Sequence, residues 1–233
     1  MTFSDDISAN IKSVMDRVRT AAEKSGRTLD DITVIAVSKT VEVDRINKAR
    51  ELGILNFGEN KVQELLNKFE AAAPGLKWHM IGHLQTNKVK YIVDKVELIH
   101  SVDSIRLARE IDRQAGNNGK KVNVLVQVNV AGEETKFGIS AREARQFISA
   151  ISLLKNIKVR GLMTIAPYAD NSDDIRWVFR ELRKLFIDIS MENIDNISMD
   201  YLSMGMSNDF EVAIEEGSNM VRIGTAIFGP RNY

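Results

Sequence analysis

The sequence predicts an α/β fold, a closed (β/α)8 barrel of parallel strands with an extra N-terminal helix. Three observations carry this. Apolar runs of strand length recur eight times along the 233 residues. Stripes of helical periodicity separate them. The connections are short, with only three prolines and no linker, low-complexity tract or internal repeat, so one domain over residues 1–233 is expected. Strands alternating with helices imply parallel βαβ units. A doubly wound open sheet uses the same units; eight of them in a chain close to the ~250 residues usual for a barrel favour closure.

Residues 4–25 read as an amphipathic helix: Ile7, Ile11, Val14, Val18 and Ala22 share one face, and Ser4 is placed to cap the N-terminus. Strand runs follow at 32–38, 54–57 (ILNF), 77–82 (KWHMIG), 97–100 (ELIH), 121–130 (KVNVLVQVNV), 157–164 (IKVRGLMT), 198–203 and 219–224. Between them, Val62, Leu65, Leu66 and Phe69 form one helical stripe, and Ile175, Val178, Phe179, Leu182, Leu185, Phe186 and Ile189 form another. Further helices are expected at about 42–53, 84–94, 104–117, 140–153 and 207–217.

Composition narrows the function classes. Lysine plus arginine number 32 against 32 acids, a net charge of zero that argues against a strongly basic nucleic-acid binder. With no cysteine, disulfides, thiolate metal sites and thiol nucleophiles are excluded. The N-terminus, MTFSDDISAN, carries acids where a secretion signal carries basic residues and an apolar run. No apolar stretch approaches the ~18 residues that would span a bilayer. A cytoplasmic monomer that binds neither nucleic acid nor membrane is the expectation.

Barrels gather their functional groups at the C-terminal ends of the strands. In AVSKT, Lys39 shares parity with Thr33, Ile35 and Val37, so an inward-facing set places its amine at the mouth. Other strands end in polar residues: Glu59 and Asn60 in FGEN, Gln127 and Asn129, Thr164, Ser203, and Arg222 followed by Gly224 and Thr225. One such residue is ordinary; several on one rim indicate a small-molecule site. Arg222 interrupts an apolar strand, where a guanidinium needs acceptors from a salt bridge or a ligand. The Gly224–Thr225 turn exposes backbone N–H groups where barrels recurrently hold phosphate. An amine at a partly dry mouth beside a guanidinium has its pKa pushed down and can form a Schiff base. An aldehyde, a phosphate and a ring nitrogen facing an arginine together describe pyridoxal phosphate (PLP).

The motifs AVSKT, FGENKVQE, WHMIGHLQTNK, GLMTI, LSMGMSNDFEVAI and VRIGTAIFG, in this order from about residue 32 onward, resemble those of the pyridoxal-phosphate homeostasis protein family. That family is similar in fold to the barrel domain of alanine racemase. The resemblance implies that Lys39 holds PLP as a Schiff base, that Arg222 faces the pyridine nitrogen, and that Ser203 with Gly224 and Thr225 binds the phosphate. It places Asn60 and Met163 nearer the ring. Asn219 departs from the threonine expected there, which concerns the adjoining loop.

Three activities fit an amine at the mouth: a non-catalytic PLP carrier that serves apo PLP-dependent enzymes, a PLP-dependent amino-acid racemase, and a Schiff-base aldolase. The resemblance favours the first. Racemisation needs a base on each face of the ring. The resemblance points to alanine racemase, which takes its second base from an additional β domain and a partner subunit, and the nine residues after Gly224 leave no room for that domain. An arginine at the ring nitrogen also weakens the electron sink that carbanion chemistry uses. His79 and His83, four apart with Gly82 between them, lack an evident acidic co-ligand, so metal is not expected. Lys136 and Gly138 read as a solvated loop, with contact to an anionic ligand as the alternative.

Overall fold

A computed structural model describes residues 6–230. All eight expected strands form: β1 (Thr33–Val37), β2 (Asn56–Glu59), β3 (Lys77–Met80), β4 (Leu98–Val102), β5 (Val122–Asn129), β7 (Ile157–Met163), β8 (Ile197–Ser203) and β9 (Met220–Ile223). They run parallel, and the pairings β1–β9 and β4–β5 close the sheet into a barrel. A two-residue strand, β6 (Ile139–Ser140), adds to the mouth end of β5.

Each strand alternates between two environments. On β1, Val34 and Ala36 pack outward against the helices, while Ile35 meets Leu98, Leu125, Met163 and Met220 inside the barrel. The inward set is therefore Thr33, Ile35, Val37 and Lys39, as parity predicts. Outside, one apolar layer lies under α1 (Ile7–Lys24), α2 (Val43–Glu51) and α8 (Thr225–Phe228). A larger one lies under α3 (Val62–Ala71), α4 (Ile105–Asn117), α5 (Ala144–Ile151), α6 (Arg176–Ser190) and α7 (Phe210–Glu215). Among the described residues no helix is long and apolar enough to cross a membrane.

Four local outcomes differ from the sequence reading. Ser4 lies outside the described residues; the α1 cap is Asp6, whose carboxylate accepts the Ser8 N–H at 2.9 Å. The stretch expected to be helical at 84–94 is a 3-10 turn, Thr86–Tyr91; Val89 within it and Ile92 just after it are buried three residues apart, the spacing that eclipses in that geometry. On α3 the inward position belongs to Lys68, and Phe69 is 40% exposed. The four-residue α8, unforeseen, buries Ala226, Ile227 and Phe228 directly after β9.

One glycine is fixed by closure itself. Between β7 and β8 the register shifts between Val159 and Gly161. Gly161 has φ +146°, and a Cβ there would lie 1.8 Å from the Tyr201 carbonyl oxygen. The bulge brings two backbones closer than any side chain permits.

Candidate functional site

At the C-terminal mouth lies an open cavity of about 500 Å³, within the ~300–1,000 Å³ typical of small-molecule sites. Lys39, Lys136, Asp209, Arg222, Gly224 and Thr225 all line it. Three cations against one carboxylate give it a positive potential suited to an anionic ligand.

Lys39 is half-buried, and its backbone is clamped on both sides. On one side, Lys68 Nζ donates to the Ser38 carbonyl at 2.7 Å and to Glu59 Oε1 at 2.8 Å, and Ser38 Oγ donates to the same Oε1 at 2.6 Å. On the other, the Thr40 N–H donates to Glu64 Oε2 at 3.0 Å. Thr40 sits at φ +61°, a left-handed conformation that a β-branched residue adopts only when its surroundings impose it. Burial pushes the Glu59 carboxyl up, against Lys68 and Ser38. Its Oε2 is buried without a hydrogen-bond partner among the described residues. Burial also opposes ionisation of Glu64, yet the Thr40 N–H and Lys68 hold it below the usual carboxylate range.

Arg222 is 4% exposed and has no carboxylate hydrogen bond among the described residues. Nη1 donates to Ser203 Oγ at 2.6 Å and Nη2 to the Thr164 carbonyl at 2.8 Å. Burial lowers its pKa to about 10, with Asp209 acting in the opposite sense, so it stays cationic at neutral pH. Burial pushes Asp209 up; its Oδ1 accepts the Met206 N–H at 2.5 Å, which shapes the loop after β8. In that loop Gly205 has φ +96°, and a Cβ would fall 2.7 Å from Ala213 Cβ. Ser207 Oγ accepts from the N–H groups of Gly224 and Ala226 at 3.3 and 3.4 Å, long contacts that leave this donor-rich turn weakly occupied. The Thr225 hydroxyl makes no hydrogen bond among the described residues, and Thr225 borders the cavity.

The structure thus brings Lys39, Arg222, Gly224 and Thr225 together and places the other three candidates elsewhere. Ser203 is wholly buried behind Arg222, its hydroxyl shared between Arg222 and His100, so it does not reach the cavity wall. Met163 is wholly buried in the barrel interior. Asn60 lines a separate cavity with Lys61, His83, Gln85 and Tyr91. Lys136 borders the main cavity while paired with Glu133 at 2.6 Å. Asn219 lies at the far end of β9, where it accepts the Leu202 N–H at 2.8 Å and donates to the Asp200 carbonyl at 2.7 Å.

Sequence reasoning missed Ser207 and Asp209; the run SMGMSND, with a serine and an aspartate just past a glycine turn, carried the signal. It weighed His79 against His83 and not against His100, which His79 meets inside the barrel at 3.1 Å. His83 instead stacks on Phe137 with ring centroids 3.9 Å apart.

The family model described as "Alanine racemase, N-terminal domain" matches residues 5–232. A pyridoxal phosphate homeostasis protein of Aquifex aeolicus is 46% identical over 224 residues, covering 96% of this chain and 97% of the relative. PipY of Synechococcus elongatus, solved with PLP bound, superposes with a TM-score of 0.84 at 31% identity, covering 96% of this chain and all of PipY. An alanine racemase of Clostridium difficile superposes with a TM-score of 0.74 at 16% identity over 60% of its own length, a likeness of fold.

Proposed function

We propose that this chain, which belongs to the pyridoxal phosphate homeostasis protein family, binds PLP at its barrel mouth and holds it for release rather than turning over a substrate. The observation that carries the reading is the meeting of Lys39, Arg222 and the Gly224–Thr225 turn on one cavity. Homologous PipY, solved with PLP bound, supports the choice of ligand.

The residues present fit the group. When bound, PLP supplies an aldehyde that an amine can link covalently and a ring that can act as an electron sink. Lys39 offers the amine, on a backbone that cannot drift because Ser38 and Thr40 are anchored. The N–H groups of Gly224 and Ala226 and the hydroxyls of Thr225 and Ser207 form a donor cluster suited to phosphate oxygens. Arg222 only donates, so it favours a ring nitrogen with its lone pair available. That state withholds the strong electron sink, which supports storage over racemisation. Ser203 then acts through Arg222, Met163 shapes the barrel interior beneath the site, and Asn60 belongs to the rim. The recipients on this reading are apo PLP-dependent enzymes, and the setting is the cytoplasm.

The test is direct. The purified protein, incubated with PLP, should gain visible absorbance, and borohydride followed by peptide mass spectrometry should find one phosphopyridoxyl group, on Lys39. A protein that takes up no PLP, or one modified elsewhere, refutes the proposal.

A further inference from the structure

A chain of hydrogen-bonded side chains runs inside the barrel from mouth to base. Arg222 Nη1 meets Ser203 Oγ at 2.6 Å, and Ser203 Oγ meets His100 Nδ1 at 3.0 Å. His100 Nε2 meets His79 Nδ1 at 3.1 Å, and His79 Nε2 meets Asn56 Oδ1 at 3.1 Å. The members come from five strands, β9, β8, β4, β3 and β2, and Asn56 and His79 line a small cavity at the base.

The protons in this chain can be assigned one by one. A guanidinium only donates, so Ser203 Oγ accepts from Arg222. The hydroxyl proton of Ser203 then has one acceptor in reach among the described residues, His100 Nδ1. A neutral imidazole that accepts at Nδ1 carries its proton on Nε2, so His100 donates to His79 Nδ1. By the same logic His79 donates from Nε2 to Asn56 Oδ1. Every bond points the same way, from the mouth toward the base. Both rings stay neutral: burial, then the charge of Lys77, pushes His79 down to about 3. Burial, then His79 and Arg222, pushes His100 well below its usual range. Among the described residues, Lys77 and Glu97 line the same small cavity as His79, and the paired Arg160 and Asp200 lie beside it, with Arg160 Nη1 donating to Asn123 Oδ1 at 3.4 Å. Neither ring has a carboxylate in hydrogen-bond reach among the described residues.

We infer that His100 and His79 are positioning residues for Arg222, fixing through Ser203 how the guanidinium faces the cavity and so selecting ligands that present a neutral acceptor atom to it. The inference rests on the PLP reading for its ligand. His100 holds the Ser203 hydroxyl turned away from Arg222, so that an oxygen lone pair meets Nη1. Without an acceptor at position 100, that hydroxyl loses its fixed direction, and the guanidinium loses a firmly held partner. The chain ends at an amide, which does not pass protons on, so its role is orientation.

Two measurements test this. In ligand-free, nitrogen-15-labelled protein carrying His83→Asn to remove the third ring, long-range proton–nitrogen correlations should show both imidazoles protonated on Nε2. The pattern should hold between about pH 5.5 and 8.5, the range in which a ring near its ordinary value of about 6.5 would titrate. A ring protonated on Nδ1, or one that titrates in that range, overturns the inference. The second measurement compares affinity for PLP with that for N-methylpyridoxal phosphate, whose ring nitrogen is blocked. The parent should prefer PLP. His100→Phe should weaken PLP binding about ten- to a hundredfold, the loss of a hydrogen bond to a charged group, and narrow the preference. His100→Gln, whose amide oxygen can accept from Ser203, should recover most of both. A His100→Phe protein with parental affinity and preference sinks the inference; if that variant does not fold, the ring tautomers of the parent decide alone. A parent that binds no PLP refutes the proposed function, and the imidazole spectra still decide whether the chain exists.

Discussion

Replacing Lys68 with methionine isolates the support behind Lys39. The Lys68 side chain is 10% exposed and that of Glu59 is 0% exposed, with 2.8 Å between Nζ and Oε1. Methionine fills the space, but the carboxylate keeps only the Ser38 hydroxyl, since Oε2 has no partner already. Breaking one side of such a buried pair costs about 3–5 kcal/mol. The pH dependence has a definite sign. Burial raises the folded pKa of Glu59 above its unfolded value of about 4.3, and loss of Lys68 raises it further. The folded state therefore holds the proton more tightly, and stability falls as pH rises from the unfolded value through the folded one. The deficit of Lys68→Met should be largest near pH 8 and shrink toward pH 5, by up to about 1.4 kcal/mol for each unit of pKa gained. Adding Glu59→Gln should recover about 1–3 kcal/mol, because a neutral amide is cheaper to bury than an unpaired charge. Urea denaturation followed by circular dichroism at both pH values measures all three proteins. A deficit under about 1 kcal/mol, the range of a surface pair, or one that grows on acidification, would refute the reasoning.

Three other outcomes are expected. Lys39→Ala should lose the borohydride-fixable group yet match the parent in circular dichroism and, within about 0.5 kcal/mol, in stability; a collapsed variant would mark the lysine as structural. With PLP and alanine in heavy water, proton NMR should show background α-proton exchange for the parent and a slow gain for Arg222→Glu, provided the variant still binds PLP; rapid racemisation by the parent would establish an enzyme. Gly161→Ala, with its Cβ driven toward the Tyr201 carbonyl, should cost at least about 3 kcal/mol or prevent soluble folding, and a parental melting temperature would contradict the close approach.

The barrel was legible because its signals are local. Each strand is a short apolar run, and the parity of Thr33, Ile35 and Val37 carries through to Lys39 without knowledge of any neighbour. Ambiguity entered where two residues competed for one inward position. Periodicity favours Phe69, but Lys68 takes the interior because Glu59 and the Ser38 carbonyl wait there, and those partners are set by tertiary structure. The 3-10 turn at Thr86–Tyr91 was hidden because a short apolar pattern fits either helix. Ser203 looked like a mouth residue by its strand-end position, yet β8 pairs so that its hydroxyl lies behind Arg222. The histidine chain draws on strands β3 and β4, whose side chains meet only after the barrel closes, and no spacing along the sequence reports it.

The left-handed Thr40, pinned by Glu64, bears on how fast and how tightly a ligand is captured. A backbone kept in an unfavourable conformation before any ligand arrives has already paid its ordering cost during folding. On the proposed reading, what remains to be lost at this end of β1 is mainly the rotamer freedom of the Lys39 side chain, about 2 kcal/mol at most. This stretch of backbone then needs no rearrangement on association, which favours a faster rate of capture. The same economy applies in reverse. On the proposed reading, letting go of a ligand restores motion to the Lys39 side chain and leaves the anchored backbone of Ser38 and Thr40 as it was, so this part of the mouth can fill and empty repeatedly without refolding.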